Sequence, residues 1–137
     1  MPLPEAHLGV GAVASAMSVL RPRRIAWRSS RRIGWPLIAA GAGVAAWATR
    51  AAGGTDLARP DRLVTDGPYA LSRHPMYVAW TAIFLGLALV TRSAWVLRST
   101  PLLFVLIRQE IEREEQRLTQ HFGPAYSAYQ AQVRRYL

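Results

Sequence analysis

The chain has 137 residues, enough for one domain and short for two. Hydrophobic residues make up 51% of it, and 17 basic residues, all of them arginine, stand against 8 acidic ones, for a formal net charge of +9. The lack of cysteine excludes disulfides, thiolate nucleophiles and cysteine-based zinc sites. The three histidines lie far apart and show no metal-binding spacing, so no metal is predicted.

The arginine content indicates the kind of partner. A guanidinium group binds phosphate through two donors and stays charged when partly desolvated, which suits an anionic lipid surface. Nucleic acid is the other usual partner of a basic chain. Because the apolar runs between the arginine clusters need burial first, we predict membrane lipids as partners and no nucleic acid.

Four apolar runs follow one another, each shorter than the ~20 residues of an ideal membrane-spanning helix. Short spans are tolerated when flanking arginine and tryptophan reach the interface, and all five tryptophans lie in or beside the ends of runs. We therefore expect an all-α, polytopic membrane helical bundle with three or four transmembrane helices. A soluble bundle of four buried helices is the alternative. The runs are Leu8–Leu20, Ile33–Thr49, Met76–Thr91 and Ala94–Ile107.

The arginine distribution bears on orientation. Residues 50–75 and the C-terminal segment together hold more arginine than the cluster at Arg21–Arg32. The positive-inside rule then places residues 50–75 and the C-terminal segment in the cytoplasm. This leaves the Arg21–Arg32 cluster unexplained, unless the second apolar segment is interfacial and does not span.

The segment before the third run, Leu63–Trp80, holds polar and aromatic groups for which a lipid-facing segment has no use. Pro75 suits the first turn of a helix, which places His74 at the helix N-terminus. Free N–H groups and the helix dipole attract an anion there. Arg73, His74 and Tyr77 are thus predicted to converge on a polar ligand; the alternative is that they are ordinary interface anchors.

After Ile107 the pattern becomes that of an amphipathic helix, which we expect to be cytoplasmic. At 100° per residue, the pair Glu114 and Glu115 borders or interrupts the apolar stripe of this helix. A carboxylate on a buried stripe must be paired or must bind something. The alternatives are an ion pair with Arg73 or Arg117, or merely a solvated glutamate run. The stripe consists of Ile107, Ile111, Leu118 and Phe122.

These features together resemble a known family. The Arg-His-Pro-x-Tyr element at 73–77, the apolar hairpin, the Glu114-Glu115 pair and the following Phe-Gly are similar to the membrane methyltransferases. That family includes isoprenylcysteine carboxyl methyltransferases and phospholipid N-methyltransferases. The resemblance covers Asp61 to the C-terminus, so we interpret the chain as a single domain, 1–137, with a motif-bearing core at 61–137.

The resemblance implies an all-helical protein of the cell (inner) membrane that binds S-adenosyl-L-methionine at its cytoplasmic mouth. On this basis we predict three catalytic residues, Arg73, Glu114 and Glu115, with Arg73 orienting Glu114 or the cofactor carboxylate. The residues implied to contact the cofactor are Arg62, Leu63, Val64, Tyr69, His74, Pro75, Met76, Tyr77 and Glu114.

The expected function is methyl transfer to a lipid-like or isoprenoid-like acceptor by direct displacement. For this the protein holds donor and acceptor in line and excludes water. Two other functions stay open. One is an NADPH-dependent membrane reductase of the steroid-reductase type, whose C-terminal regions look broadly similar. The other is a non-enzymatic membrane module whose arginine clusters bind anionic lipid.

Overall fold

The computed structural model describes residues 5–27, 29–55 and 61–136. Within these ranges all regular secondary structure is helical, apart from one isolated β-bridge between Arg24 and Ser93. The all-α prediction is confirmed. The helices are α1 Glu5–Leu20, α2 Ser30–Ala52, α3 Pro75–Thr91, α4 Ala94–Arg98, α5 Thr100–Phe122 and α6 Pro124–Gln132, and a 3-10 turn, Gly67–Ala70, precedes α3.

The prediction of a polytopic membrane bundle with three or four transmembrane helices is wrong. Over the described ranges, no helix combines the length and the apolarity that a bilayer crossing requires. Helices α1 and α3 have 16 and 17 residues, fewer than the ~20 residues of an ideal span. The 23-residue helices fall short in apolarity, because α2 is rich in glycine and alanine and carries arginine at both ends, and the C-terminal half of α5 is charged.

Helices α2 and α3 pack against each other with their backbones in close approach. A Cβ atom added at Gly34 would lie 2.7 Å from the carbonyl oxygen of Gly86, and one at Gly41 would lie 2.6 Å from that of Ala79. Glycine is therefore required at these positions to let the backbones meet. This contact fixes the axial position of α3, and with it the position of the N-terminus of α3.

The predicted fourth run, Ala94–Ile107, is split between two helices in the structure, and the second of them includes the predicted amphipathic helix. The run breaks at Ser99, because Pro101 fits the first turn of a helix and not its interior. From there α5 continues without interruption through the amphipathic segment. The turn before α4 closes at Arg92, which adopts the left-handed conformation, and Ser93 caps α4 by accepting a hydrogen bond from Val96.

Helices α1, α3, α4 and α5 share an apolar core, which orients α5 so that its C-terminal half lies beside the start of α3. The core consists of Val10, Ala14, Phe84, Ala88, Val96, Leu103, Ile107 and Ile111.

A buried histidine, His7, also links α1 to α3. Its Nε2 lies 3.2 Å from the hydroxyl oxygen of Thr81, its ring meets Phe84 edge-on, and only 6% of the residue is exposed. Burial lowers the pKa of His7 from 6.5 to about 4. The folded protein therefore holds fewer protons at His7 than the unfolded chain, and His7 destabilises the fold as the pH falls from 6.5 toward 4.

Replacing His7 should flatten this pH dependence. Between about pH 7 and about pH 5 the wild type should lose about 2 kcal/mol more unfolding free energy than His7→Gln, measured by chemical denaturation. His121→Gln, at an exposed position of α5, is the control and should retain the wild-type dependence. Parallel curves for the wild type and His7→Gln would contradict the assignment.

Candidate active site

The centre of the candidate site is Glu115, on the buried side of α5 and 6% exposed. Its carboxylate meets the nitrogen atoms of three side chains from two other parts of the chain. Arg135 donates from Nη2 to Oε2 at 2.7 Å and from Nε to Oε1 at 3.2 Å. His74 Nε2 and Arg73 Nη1 lie 3.2 Å and 3.3 Å from Oε1. The beginning of α3, the middle of α5 and the end of the chain therefore meet at one carboxylate.

This arrangement sets the charge of Glu115. Burial alone would raise its pKa, but hydrogen bonds from His74 and Arg135 and the charge of Arg73 outweigh burial and hold the pKa at about 2. Glu115 is therefore ionised throughout the physiological range. Because its oxygens are already occupied, it holds Arg73 and His74 in place and leaves little capacity for a ligand.

The neighbouring Glu114 differs in environment. Its side chain is 20% exposed, and Oε2 lies 3.9 Å from Nδ1 of His74, on the other side of the ring from Glu115. Burial raises the pKa of Glu114. The charge of His74 and a hydrogen bond from the Tyr77 hydroxyl lower it, but burial is the larger effect. Glu114 can therefore exchange a proton nearer to neutral pH than an ordinary glutamate, which is a property of acid–base groups in active sites.

A small pocket opens beside Glu114 at the beginning of α3. Its volume is about 30 Å³, enough for roughly two water molecules. In the described part of the chain, two buried donors near it, the Tyr69 hydroxyl and Arg73 Nε, have no hydrogen-bond partner. Unpaired buried donors are costly, so these two are available to a water molecule or to a polar ligand in the pocket. The pocket is lined by Tyr69, Arg73, His74, Pro75, Met76, Tyr77 and Glu114.

Most of the predicted site residues come together at this place: Tyr69, the run 73–77, Glu114 and Glu115. Arg73 contacts Glu115, whereas the sequence suggested that it orients Glu114 or the cofactor. Their functional roles stay predictions.

Three predicted cofactor contacts lie outside the pocket lining. Arg62 donates from Nη2 to the carbonyl of Ala52 at 3.1 Å and from Nε to Thr55 at 2.9 Å, so it caps the end of α2. Val64 is buried behind the pocket, against Tyr69 and Met76, and Leu63 is half-buried.

From the sequence, no site residue was assigned to the C-terminal segment, whereas the structure brings this segment to the site. Tyr129 on α6 donates to the carbonyl of Tyr69 at 2.6 Å, and Tyr126 is fully buried. Beyond α6, the carbonyl of Arg134 accepts from the Arg73 amide at 2.9 Å. The three-residue spacing of the tyrosines was a usable signal for a buried helix face. No signal in the sequence pointed to Arg135.

The fold and the site define a small all-helical protein. Its pocket lies where α3 begins beside α5 and carries a carboxylate, an imidazole and a phenol. The family model described as phospholipid methyltransferase (PEMT) matches residues 30–125. The chain belongs to the phospholipid methyltransferase family, as its motifs indicated. The family supports methyl transfer as the class of reaction, and its members are generally membrane-associated.

Two curated proteins are similar to half of the chain. The cobalt-zinc-cadmium resistance protein CzcN of Cupriavidus metallidurans is 39% identical over 67 residues, which cover 49% of this chain and 31% of that protein. The nickel-cobalt-cadmium resistance protein NccN of Alcaligenes xylosoxydans xylosoxydans is 34% identical over 67 residues, covering 49% and 32%. The chain thus spans about a third of the length of these relatives. Across the described ranges, no three His, Cys, Asp or Glu side chains are grouped so that they could hold a metal ion.

Proposed function

We propose that this chain is a methyltransferase that takes its methyl group from S-adenosyl-L-methionine and delivers it to a lipid-like or isoprenoid-like acceptor. The observation that carries the proposal is the meeting of Glu114, His74 and Tyr77 at a pocket with unpaired buried donors. The family match supports the reaction class.

The side chains at the pocket fit the proposed cofactor chemically. Arg73 Nε and the Tyr69 hydroxyl are free to donate to a carboxylate or a hydroxyl. Glu114 suits an ammonium or ribose hydroxyls, and Met76 gives the pocket an apolar wall. A volume of about 30 Å³ does not hold a nucleoside, so binding requires the pocket to widen.

The chain's own residues would act mainly by positioning. When bound, the cofactor supplies a methyl group on a positively charged sulfur. Glu115 keeps His74 and Arg73 in fixed positions, which lowers the entropic cost of holding two reactants in line. An amine acceptor must first lose a proton, and Glu114 with His74 forms a pair that can accept it. A carboxylate acceptor needs no base.

We also propose that the protein works at the cell (inner) membrane with the pocket toward the cytoplasm, and that membrane lipids are its partners. Many large apolar side chains are exposed on α1, α2 and α5, including Leu8, Val13, Trp47, Leu102 and Phe104. Exposed apolar patches of this kind mark contact with a membrane or a partner. A lipophilic acceptor would be available there.

Cofactor binding tests the proposal. Glu114→Gln should weaken binding of S-adenosyl-L-methionine about 10- to 100-fold in isothermal titration calorimetry, because a charge-assisted contact is lost. His74→Ala should weaken it as well, and circular dichroism should confirm that each variant keeps its helices. Glu112→Gln is the matched control, since Glu112 pairs with the exposed Arg108 and does not line the pocket.

Two outcomes would contradict the proposal. One is no heat with S-adenosyl-L-methionine or its demethylated product on folded wild-type protein. The other is tight binding of NADPH, which would favour a reductase. If Glu112→Gln weakened S-adenosyl-L-methionine binding as much as Glu114→Gln, the assignment of Glu114 as a cofactor contact would be wrong.

A further inference from the structure

The end of the molecule opposite the pocket is built by the segment between α1 and α2 and by the turn between α3 and α4. The amide of Ile25 donates to the carbonyl of Arg92, and that of Ala94 to the carbonyl of Arg23, both at 2.9 Å. Arg92 Nη2 also donates a hydrogen bond to the carbonyl of Ile25 at 2.7 Å, and Trp95 Nε1 donates to the carbonyl of Arg21 at 2.7 Å. These bonds hold the segment in a defined position.

This construction gathers arginine at one end, which we call the basic end. Six of its seven arginines are exposed, and Arg92 is half-buried. The guanidinium of Arg23 lies over the Trp95 ring at 5.7 Å, and Arg31 donates to the carbonyl of Val90 at 3.0 Å. The basic end comprises Arg21, Arg23, Arg24, Arg31, Arg32, Arg92 and Arg98.

No carboxylate neutralises the basic end within the ranges that the structure describes. In the described ranges, the carboxylates that form salt bridges are those of Glu112, Glu114 and Glu115. All three lie on α5 toward the pocket, away from the basic end. Like charges that are gathered without counter-charges repel one another and create a positive field at the surface. An anionic surface that receives them relieves this repulsion.

Exposed apolar side chains are interleaved with these arginines. Val19 and Leu20 at the end of α1 are 83% and 75% exposed, and Trp27 and Trp35 are 51% and 61% exposed. Tryptophan and aliphatic side chains beside arginine are typical of segments that lie in a bilayer interface. A nucleic acid backbone would leave Val19 and Leu20 in water, so the combination favours lipid.

We propose that the basic end is a docking surface for an anionic phospholipid bilayer. Its guanidinium groups contact headgroup phosphates, and Leu20, Trp27 and Trp35 enter the interface. Since α3 has 17 residues and is about 25 Å long, the surface lies about that far from the pocket. The inference rests on the membrane location proposed above and is independent of the cofactor. It gives a role to the Arg21–Arg32 cluster, which the candidate site does not use.

A vesicle-binding experiment tests the surface. The variant changes Arg21, Arg24 and Arg32 to glutamine, because none of these side chains donates a hydrogen bond within the described ranges. Binding to vesicles of phosphatidylcholine and phosphatidylglycerol in equal parts should weaken roughly a hundredfold, since each basic side chain at a surface contributes about a factor of five. Wild-type binding should fall steeply with added salt and be weaker to phosphatidylcholine alone.

The matched control removes the same charge elsewhere, with Arg50, Arg108 and Arg113 changed to glutamine. It should bind anionic vesicles nearly as the wild type does. Equal losses in both variants would overturn the proposal in favour of a net-charge effect, and stronger binding to duplex DNA than to anionic vesicles would overturn it in favour of nucleic acid. Glu114→Gln should leave vesicle binding unchanged, and the basic-end variant should keep cofactor binding, so each proposal can fail without the other.

Discussion

Glu115→Ala should lower the free energy of unfolding by about 3–5 kcal/mol, because it leaves Arg73, His74 and Arg135 gathered without their shared counter-charge. Denaturant titration at neutral pH measures the loss. Glu112→Ala is the control on the same helix. It removes an exposed pair with Arg108, so a loss under about 1 kcal/mol is expected.

The acid dependence gives a second test of Glu115. Its pKa is about 2 in the folded protein and 4.5 ordinarily, so its contribution is complete above about pH 4.5 and disappears as the pH falls toward 2. Glu115→Gln should lose that part of the acid dependence while Glu112→Gln keeps it. If Glu115→Ala were no more harmful than Glu112→Ala, the carboxylate would not be what holds the start of α3.

Gly41→Ala should destabilise the protein by about 1–3 kcal/mol, because the added methyl group would meet the carbonyl oxygen of Ala79 and the side chain of Ile83 across the α2–α3 contact. Denaturant titration measures the change. Gly43 is the matched control, two residues away on α2 with nothing within 4 Å of an added Cβ. Gly43→Ala should instead stabilise the protein by about 0.5–1 kcal/mol, through helix propensity.

The two alanine variants separate packing from propensity, because they make the same chemical change in the same helix. Equal effects at both positions would mean that α2 and α3 do not approach as closely as the structure shows. A larger side chain, as in Gly41→Val, should increase the loss and, by displacing α3, also weaken cofactor binding.

Local pattern predicted the start of α3 correctly. Pro75 begins the helix and His74 precedes it, because a proline without an N–H group costs nothing in the first turn. Helical periodicity also indicated that a carboxylate borders the buried face of α5. These are short-range properties that a few neighbouring residues determine.

Tertiary partners account for what the sequence did not reveal. Periodicity treated Glu114 and Glu115 nearly alike, whereas the structure buries Glu115 in line with Ile111 and leaves Glu114 at the pocket. The difference depends on Arg135, which lies 20 residues away along the chain. The membrane-bundle prediction failed because apolar runs were identified by composition, and the alanine and glycine that fill α2 add little hydropathy per residue.

The position of His74 between two carboxylates has a consequence for its ring. Ionised Glu115 can only accept a hydrogen bond, so Nε2 must carry a proton. In the neutral ring the lone pair therefore lies on Nδ1, the nitrogen that faces Glu114 at 3.9 Å. The fold thus selects one imidazole tautomer, and nitrogen NMR shifts of His74 should report it.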